Sequence, residues 1–360
     1  MSTALPQRHV EQLLAHAEAR IALLSRCQPE NAGAERQRLL AAHRRGDALV
    51  PEYRYAPPPD LSELARGLVH AAAALERGDV LARLYAERCR ELQLEAELAG
   101  CVGQPGFAAL ARRRFSAGRG EDAERAATLA DAWTRALPAA PTPELTYRSD
   151  DTHEPRSLLS CLARRLGELR LACRLIVDER LSALAATGDA VIHVKAGVWL
   201  GARQAERITA HEVEAHALPR ERARSEACGL LRVGSAHAVE DEEGRALLIE
   251  ERGGWLDAER RRTLGLRHEC ASALAGGADW TECLRQLARR GCSAEAGLGL
   301  MERVGRGGGL CRELVYLPAW CRLSRELARE PELERWLERG RVSLAAARVL
   351  RERDGGAAAV

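Results

Sequence analysis

Apolar positions in the first third of the chain recur at helical spacing. Val10, Leu13, Leu14, Ala17, Ile21 and Leu24 mark one helix face, which stops at a polar interruption over residues 28–33. Residues 51–60 (PEYRYAPPPD) contain three consecutive prolines, which force extended backbone. Asp60 with Glu63 three residues on has the form of a capping box, opening a helix through Leu61, Leu64 and Leu68. Further helices are predicted over 80–98 and 121–137. Residues 138–151 (PAAPTPELTYRSDD) are the clearest punctuation in the chain.

Beyond that point the pattern changes. Residues 170–178 (RLACRLIVD) and 190–195 (AVIHVK) are short, β-branched and bounded by turn residues, so they read as strands. Helical periodicity returns after Gly201, broken at Gly253-Gly254, at Gly276-Gly277 and over 305–309, and residues 355–360 read as a frayed tail. There is no internal repeat. The pattern predicts a mainly helical α+β protein: a helical N-terminal region over 1–150, a catalytic region over 151–350, and a flexible tail over 351–360.

Composition narrows the function classes. The 54 basic and 52 acidic residues leave a formal charge of +2, without the basic surplus of a nucleic-acid binder. Lys195 is the single lysine and every other basic residue is arginine, a bias of GC-rich coding. The 46% hydrophobic and 29% charged content is that of a globular chain and not a disordered one. No secretory signal and no membrane-spanning run is seen, so the expected location is cytoplasmic, with no nucleic-acid and no membrane partner. The 11 cysteines are scattered with no C-x-x-C and are expected to be reduced core residues.

One segment carries most of the chemistry: Ile208-Thr-Ala-His211-Glu212-Val-Glu-Ala-His216-Ala-Leu-Pro219. In H-E-x-x-H peptidases the histidines stand four apart on one helix face, and the glutamate acts as base toward water at the metal. Here the spacing is five. At about 100° per residue, five steps leave the rings roughly 140° apart on a regular helix. A π-bulge, or a helix that loosens toward Pro219, would bring them together. Chance supplies this His-Glu-x-x-x-His pattern roughly 0.03 times per chain of this composition.

A catalytic zinc takes three protein ligands and keeps one position open. Residues 239–249 (VEDEEGRALLI) form a predicted helix whose apolar face, Ala246, Leu247 and Ile249, would carry Glu243 inward, 27 residues past His216. Glu240 and Asp241 are read as acids of a helix first turn, where the dipole favours negative charge.

His-Glu-x-x-x-His followed by Glu-Glu-Gly resembles the tyrosine/phenylalanine carboxypeptidase family, which comprises bacterial QEGLA-motif proteins and microtubule-associated tyrosine carboxypeptidases. The strand AVIHVKAG leading into the histidine helix has the family's order. Residues 303–317 (RVGRGGGLCRELVYL) resemble its glycine-rich block, 51–59 its aromatic-x-Tyr-x-Pro element, and ERGRVSLAAARVL its closing helices. The resemblance spans roughly 50–350 and is firmest over 190–320. It implies His211, His216 and Glu243 as zinc ligands, Glu212 as general base, and removal from a peptide or protein of a C-terminal residue, aromatic in the family's characterised members. Three departures stand out: Arg245 where leucine is usual, a shorter glycine-rich block between Arg306 and Arg312, and Arg312-Glu313 where lysine and aspartate are commoner.

Chemistry adds further candidates. Tyr316 could donate to the oxyanion of the tetrahedral intermediate. Arg306 first, and Arg312 second, could hold the substrate carboxylate from a glycine-rich loop. Lys195, on the strand before the histidine helix, is expected to face the cleft, because related zinc peptidases lay substrate along a sheet edge. The reading is a zincin-like metallopeptidase core, with a small sheet beside the metal-binding helix and Zn2+ as cofactor. A zinc peptidase or amidase of other polarity, and a non-catalytic helical regulator, are the alternatives.

Overall fold

The computed structural model describes residues 7–116, 118, 120–135, 146–179 and 181–357, with side chains to 354. The first helix, Gln7–Ile21, buries Val10, Leu14, Ala17 and Ile21. It ends at Ala22, whose φ of 41° is left-handed, and a short turn Leu23–Arg26 follows. Residues 51–60 stay extended, as three prolines require. The capping box at Asp60 and Glu63 does not form. Helix Ser62–Leu75 has Leu61 at its N-cap, and Asp60 Oδ1 instead accepts the Ser62 N–H at 3.0 Å, turning the chain one residue earlier. Helix Val80–Gly100 is capped by Asp79, which accepts the Ala82 N–H at 2.8 Å. Helix Glu121–Arg135 covers most of the span predicted for it. Residues 136–145, including much of the punctuation at 138–151, lie outside the described residues.

Five short strands make two sheets. β1 (Thr146–Arg148) pairs antiparallel with β5 (Trp199–Gly201). β2 (Arg174–Asp178), β3 (Ala185–Thr187) and β4 (Val191–Lys195) form the second, in the order β2-β4-β3, with β2 parallel and β3 antiparallel to β4. The two strands predicted from sequence are therefore its central and one outer strand. Ile192 and Val194 turn inward from β4 and pack with Leu162, Ala205, Ile208 and Val213. Lys195 shares the opposite face with His193. Lys195 does not lie on a sheet edge as expected: β4 is the central strand, and the edge beside the histidine helix is β3.

The remaining chain is helical. The largest core joins Leu14, Leu68, Tyr85, Leu92 and Phe107 from the first third to Leu230, Leu247, Leu317, Leu333 and Leu344 from the last. A second core packs Leu39, Leu40 and Leu49 against Cys270, Leu284, Leu287, Met301 and Leu314. All 11 cysteines are free, and most are buried, as their scatter suggested. Among the described residues no helix is long and apolar enough to cross a membrane.

Candidate metal centre

The chain resolves the five-residue spacing by changing its helix type. His211–Ala217 is a π-helix, entered from Ala202–Ala210 and left through Leu218–Ala223, whose first turn carries Pro219. The wider turn brings the two rings onto one side, with centroids 5.2 Å apart. Val213 and Ala217, on the opposite side, anchor the segment in the sheet core. Arg245, from the facing helix Ala238–Arg252, donates Nη2 to the Glu214 carbonyl at 3.1 Å and the Ala215 carbonyl at 2.7 Å. The residue that departs from the family pattern thus clamps backbone carbonyls inside the π-turn.

One donor atom each from His211, His216 and Glu243 all lie within 4.8 Å of one another. His211 Nδ1 donates to Glu250 Oε1 at 2.8 Å, and His216 Nδ1 donates to Glu242 Oε2 at 3.2 Å. A carboxylate only accepts, so each ring carries its proton on Nδ1 toward that partner and can turn the Nε2 lone pair to the shared point. Glu243 Oε1 accepts from Arg312 Nη2 at 2.9 Å, while Oε2 is buried without a hydrogen-bond partner. His211 Nε2 and Glu243 Oε2 stand 3.5 Å apart. Two ligands about 2.1 Å from one ion at a tetrahedral angle are separated by roughly 3.4 Å, so the spacing fits a divalent metal. Carboxylates behind both imidazoles are the usual support of metal-binding histidines.

The electrostatics agree. Burial opposes a charge on His211, but the nearby carboxylates of Glu243 and Glu250 outweigh it and hold the ring up at about 9. A proton there sits where a metal cation could. Burial likewise raises Glu243, Glu250 and Glu242, yet the neighbouring charges hold all three below the usual carboxylate range: Arg312 for Glu243, Arg260 for Glu250, Arg220 for Glu242. Glu250 is 0% exposed and accepts from Arg260 Nε at 2.6 Å and Arg207 Nη1 at 3.2 Å. Glu242 is gripped by Arg220 at 3.0 Å and Arg341 at 3.4 Å.

Glu240 and Asp241 stand in the first turn of Ala238–Arg252, and both are buried in ion pairs. Glu240 is buried against Arg114 at 2.6 Å, and Asp241 accepts from Arg322 and from the Leu344 N–H. Glu91, His237 and Glu240 also bring donor atoms together, but Arg114 already occupies Glu91 at 2.9 Å as well as Glu240. An arginine fills that position in place of a metal.

Around the centre, Glu212 is buried, and its Oε2 accepts from Thr187 Oγ1 at 2.7 Å. Thr187 lies on β3, so the edge strand orients this carboxylate; nothing in the sequence marked it. Tyr316, buried at the start of helix Tyr316–Arg329, has its hydroxyl pushed up by burial and by Glu243. Arg306 is buried where helix Ala294–Gly309 unwinds: Arg306 is extended and Gly307 and Gly308 have φ of 72° and 101°. A Cβ on Gly307 would lie 2.6 Å from Cys27 Sγ, so glycine is required there. Arg306 Nη1 reaches Ser182 Oγ at 3.3 Å, and its Nε is buried without a partner. Arg312 is committed to Glu243 and braces a candidate ligand. Lys195 stands within electrostatic reach of Arg36 and Glu302, and burial lowers its pKa.

Comparison with known proteins gives one match. The family model described as microtubule-associated tyrosine carboxypeptidase covers residues 43–355, so the chain belongs to that family, a carboxypeptidase family. No curated protein and no solved structure matches.

Proposed function

From membership of the microtubule-associated tyrosine carboxypeptidase family, we propose that the protein is a zinc-dependent carboxypeptidase with a zincin-like core, removing a C-terminal aromatic residue from a peptide or protein. The observation that carries the metal part is the buried, unbonded Oε2 of Glu243, set among two imidazoles whose Nδ1 protons are already committed. His211, His216 and Glu243 would hold Zn2+, and zinc supplies Lewis-acid polarisation of the scissile carbonyl and of the attacking water.

The chain's own residues supply the rest. Glu212, fixed by Thr187, takes the proton from the attacking water and returns it to the departing amine. The Tyr316 hydroxyl, which burial and Glu243 keep protonated, donates to the developing oxyanion. Arg306 pairs with the terminal carboxylate from its loop. The mixed ion-pair exterior supports no charged-polymer partner beyond such a substrate.

Purified protein should contain about one equivalent of zinc, and less than about half would count against this ligand set. Glu212→Gln should keep the metal and lose turnover by at least about a hundredfold. Intact activity in that variant removes the mechanism, and equal cleavage of free and amidated peptides removes the carboxypeptidase assignment.

A further inference from the structure

The glycine-rich end of helix Ala294–Gly309 forms one wall of a cavity. Gly305, Gly308 and Gly309 line it, whereas Arg306 and Gly307 do not. Neither do His211, Glu212, His216, Glu243 or Tyr316, so the cavity is separate from the candidate metal centre.

The segment over residues 51–55 makes a second wall. Its extended backbone turns alternate side chains to one side, so Pro51, Tyr53 and Tyr55 line the cavity while Glu52 and Arg54 stay exposed. Tyr53 meets Trp280 with ring centroids 5.7 Å apart and planes tilted by 55°, so the two rings form a corner and not a stack. The Tyr55 ring lies against Gly103, where a Cβ would come within 2.6 Å of Tyr55 Cδ2. Gly103 in turn donates its N–H to the Gly307 carbonyl at 2.8 Å. The extended segment, the turn at Gly103 and the glycine-rich loop thus brace one another. The enclosed space is about 270 Å³. Sites for drug-sized molecules run to about 300–1,000 Å³, so this one suits a molecule with a single ring.

The polar groups select the charge of that molecule. Arg112, from helix Phe107–Arg114, is the one charged side chain in the lining, and no acid stands there. It is exposed and so stands at the mouth. Its Nη1 donates to the Ala275 carbonyl at 3.3 Å, and among the described residues no carboxylate pairs with it. The carbonyl fixes the guanidinium and leaves its other N–H groups for an acceptor. A cation would meet Arg112 with no acid to offset it, whereas an anion gains charge-assisted hydrogen bonds.

We propose that this cavity is a binding site for a small aromatic carboxylate, with its ring in the corner of Tyr53 and Trp280 and its carboxylate on Arg112. The occupant rests on the loop that carries Arg306 without entering the metal centre. The site does not depend on the carboxypeptidase reading above.

The test is calorimetry of the full chain with phenylacetate and phenylacetamide, in wild type, Arg112→Met and Ala108→Leu. Wild type should bind phenylacetate with a Kd below about 1 mM. It should bind the amide at least about threefold more weakly, the modest ratio expected of a charge pair at an exposed rim. Arg112→Met should equalise the two ligands while keeping the amide affinity within about twofold. Ala108 lines the cavity, and leucine there extends into so small a space that both affinities should fall by at least about tenfold. Both variants should melt within about 2 °C of wild type, since Arg112 is exposed and Ala108 half-buried. No binding of phenylacetate by wild type at about 10 mM overturns the site. So does an acid preference that survives Arg112→Met, or an unchanged affinity in Ala108→Leu, since either puts the ligand elsewhere, the metal centre included. Nothing is turned over in the experiment, so its result is independent of the reaction performed at the metal centre.

Discussion

Replacing Gly244 by alanine should loosen the protein and its metal centre together. Gly244 follows Glu243 in helix Ala238–Arg252, where that helix crosses Tyr316–Arg329. An alanine Cβ would lie 2.7 Å from the Ala319 carbonyl carbon, 2.9 Å from Ala319 Cβ and 2.9 Å from the Trp320 nitrogen. Two of the three are backbone atoms, so no rotamer change relieves the contact. Ordinary contact begins near 3.4 Å, so the helices must separate by roughly 0.5–1 Å. Alanine gains about 1 kcal/mol of helix propensity over glycine, and overpacking of this kind costs about 1–3 kcal/mol. Backbone atoms cannot yield as a side chain can, so the cost lies toward the upper end, about 2–3 kcal/mol, and the net loss is about 1–2 kcal/mol. Because one helix carries Glu243 and the other begins at Tyr316, the same shift exceeds the roughly 0.5 Å tolerance of a preorganised site. Urea unfolding of the metal-free protein and zinc titration of the folded one check the two effects separately. A Gly244→Ala protein as stable as wild type, with unchanged zinc affinity, would refute the reasoning.

Three further outcomes follow from the geometry. Arg245→Leu strands the Glu214 and Ala215 carbonyls, so stability should fall by about 2 kcal/mol and zinc affinity should weaken; unchanged zinc titration removes the clamp role. Dialysis against a chelator should abolish activity and lower the melting temperature, and added zinc should restore both; activity that survives complete zinc removal excludes the metal from the reaction. His268 is buried, and burial lowers its pKa from 6.5 to about 4. Between those values the unfolded chain binds more protons than the folded one, so this stability is full above about 6.5, falls as pH drops toward 4, and levels below it. At about 1.4 kcal/mol per tenfold step the difference is roughly 3 kcal/mol. His268→Phe should flatten that part of the pH–stability curve in metal-free protein, and an unaltered slope refutes the assignment.

The convergence of His211, His216 and Glu243 was legible because ligand chemistry restricts residue type and spacing, and the angular mismatch pointed to either a π-bulge or a loosened helix, of which the first is present. The supporting shell was not. Glu250 and Arg260 bear on His211 from 39 residues downstream and from another helix, and no local pattern announces such a contact. Thr187 sits on a three-residue strand, too short for alternation to register. Helix Ala32–Arg45 was missed because its few buried positions, Glu35, Leu39, Leu40 and Ala42, include a charged one. Glu35 is held there by Arg38 at 2.7 Å. The role of Gly244 likewise depends on a helix more than 70 residues away.

The π-turn has a consequence for kinship. Deleting one residue between Glu212 and His216 would restore the four-residue spacing that an ordinary helix needs to present two rings to one ion. His211–Ala217 therefore absorbs an added residue without moving the ligands it separates. Any search that holds the distance between histidines fixed treats such chains as strangers. Relatives separated by that insertion become comparable only when the alignment opens a gap inside the motif, where alignments are least willing to place one.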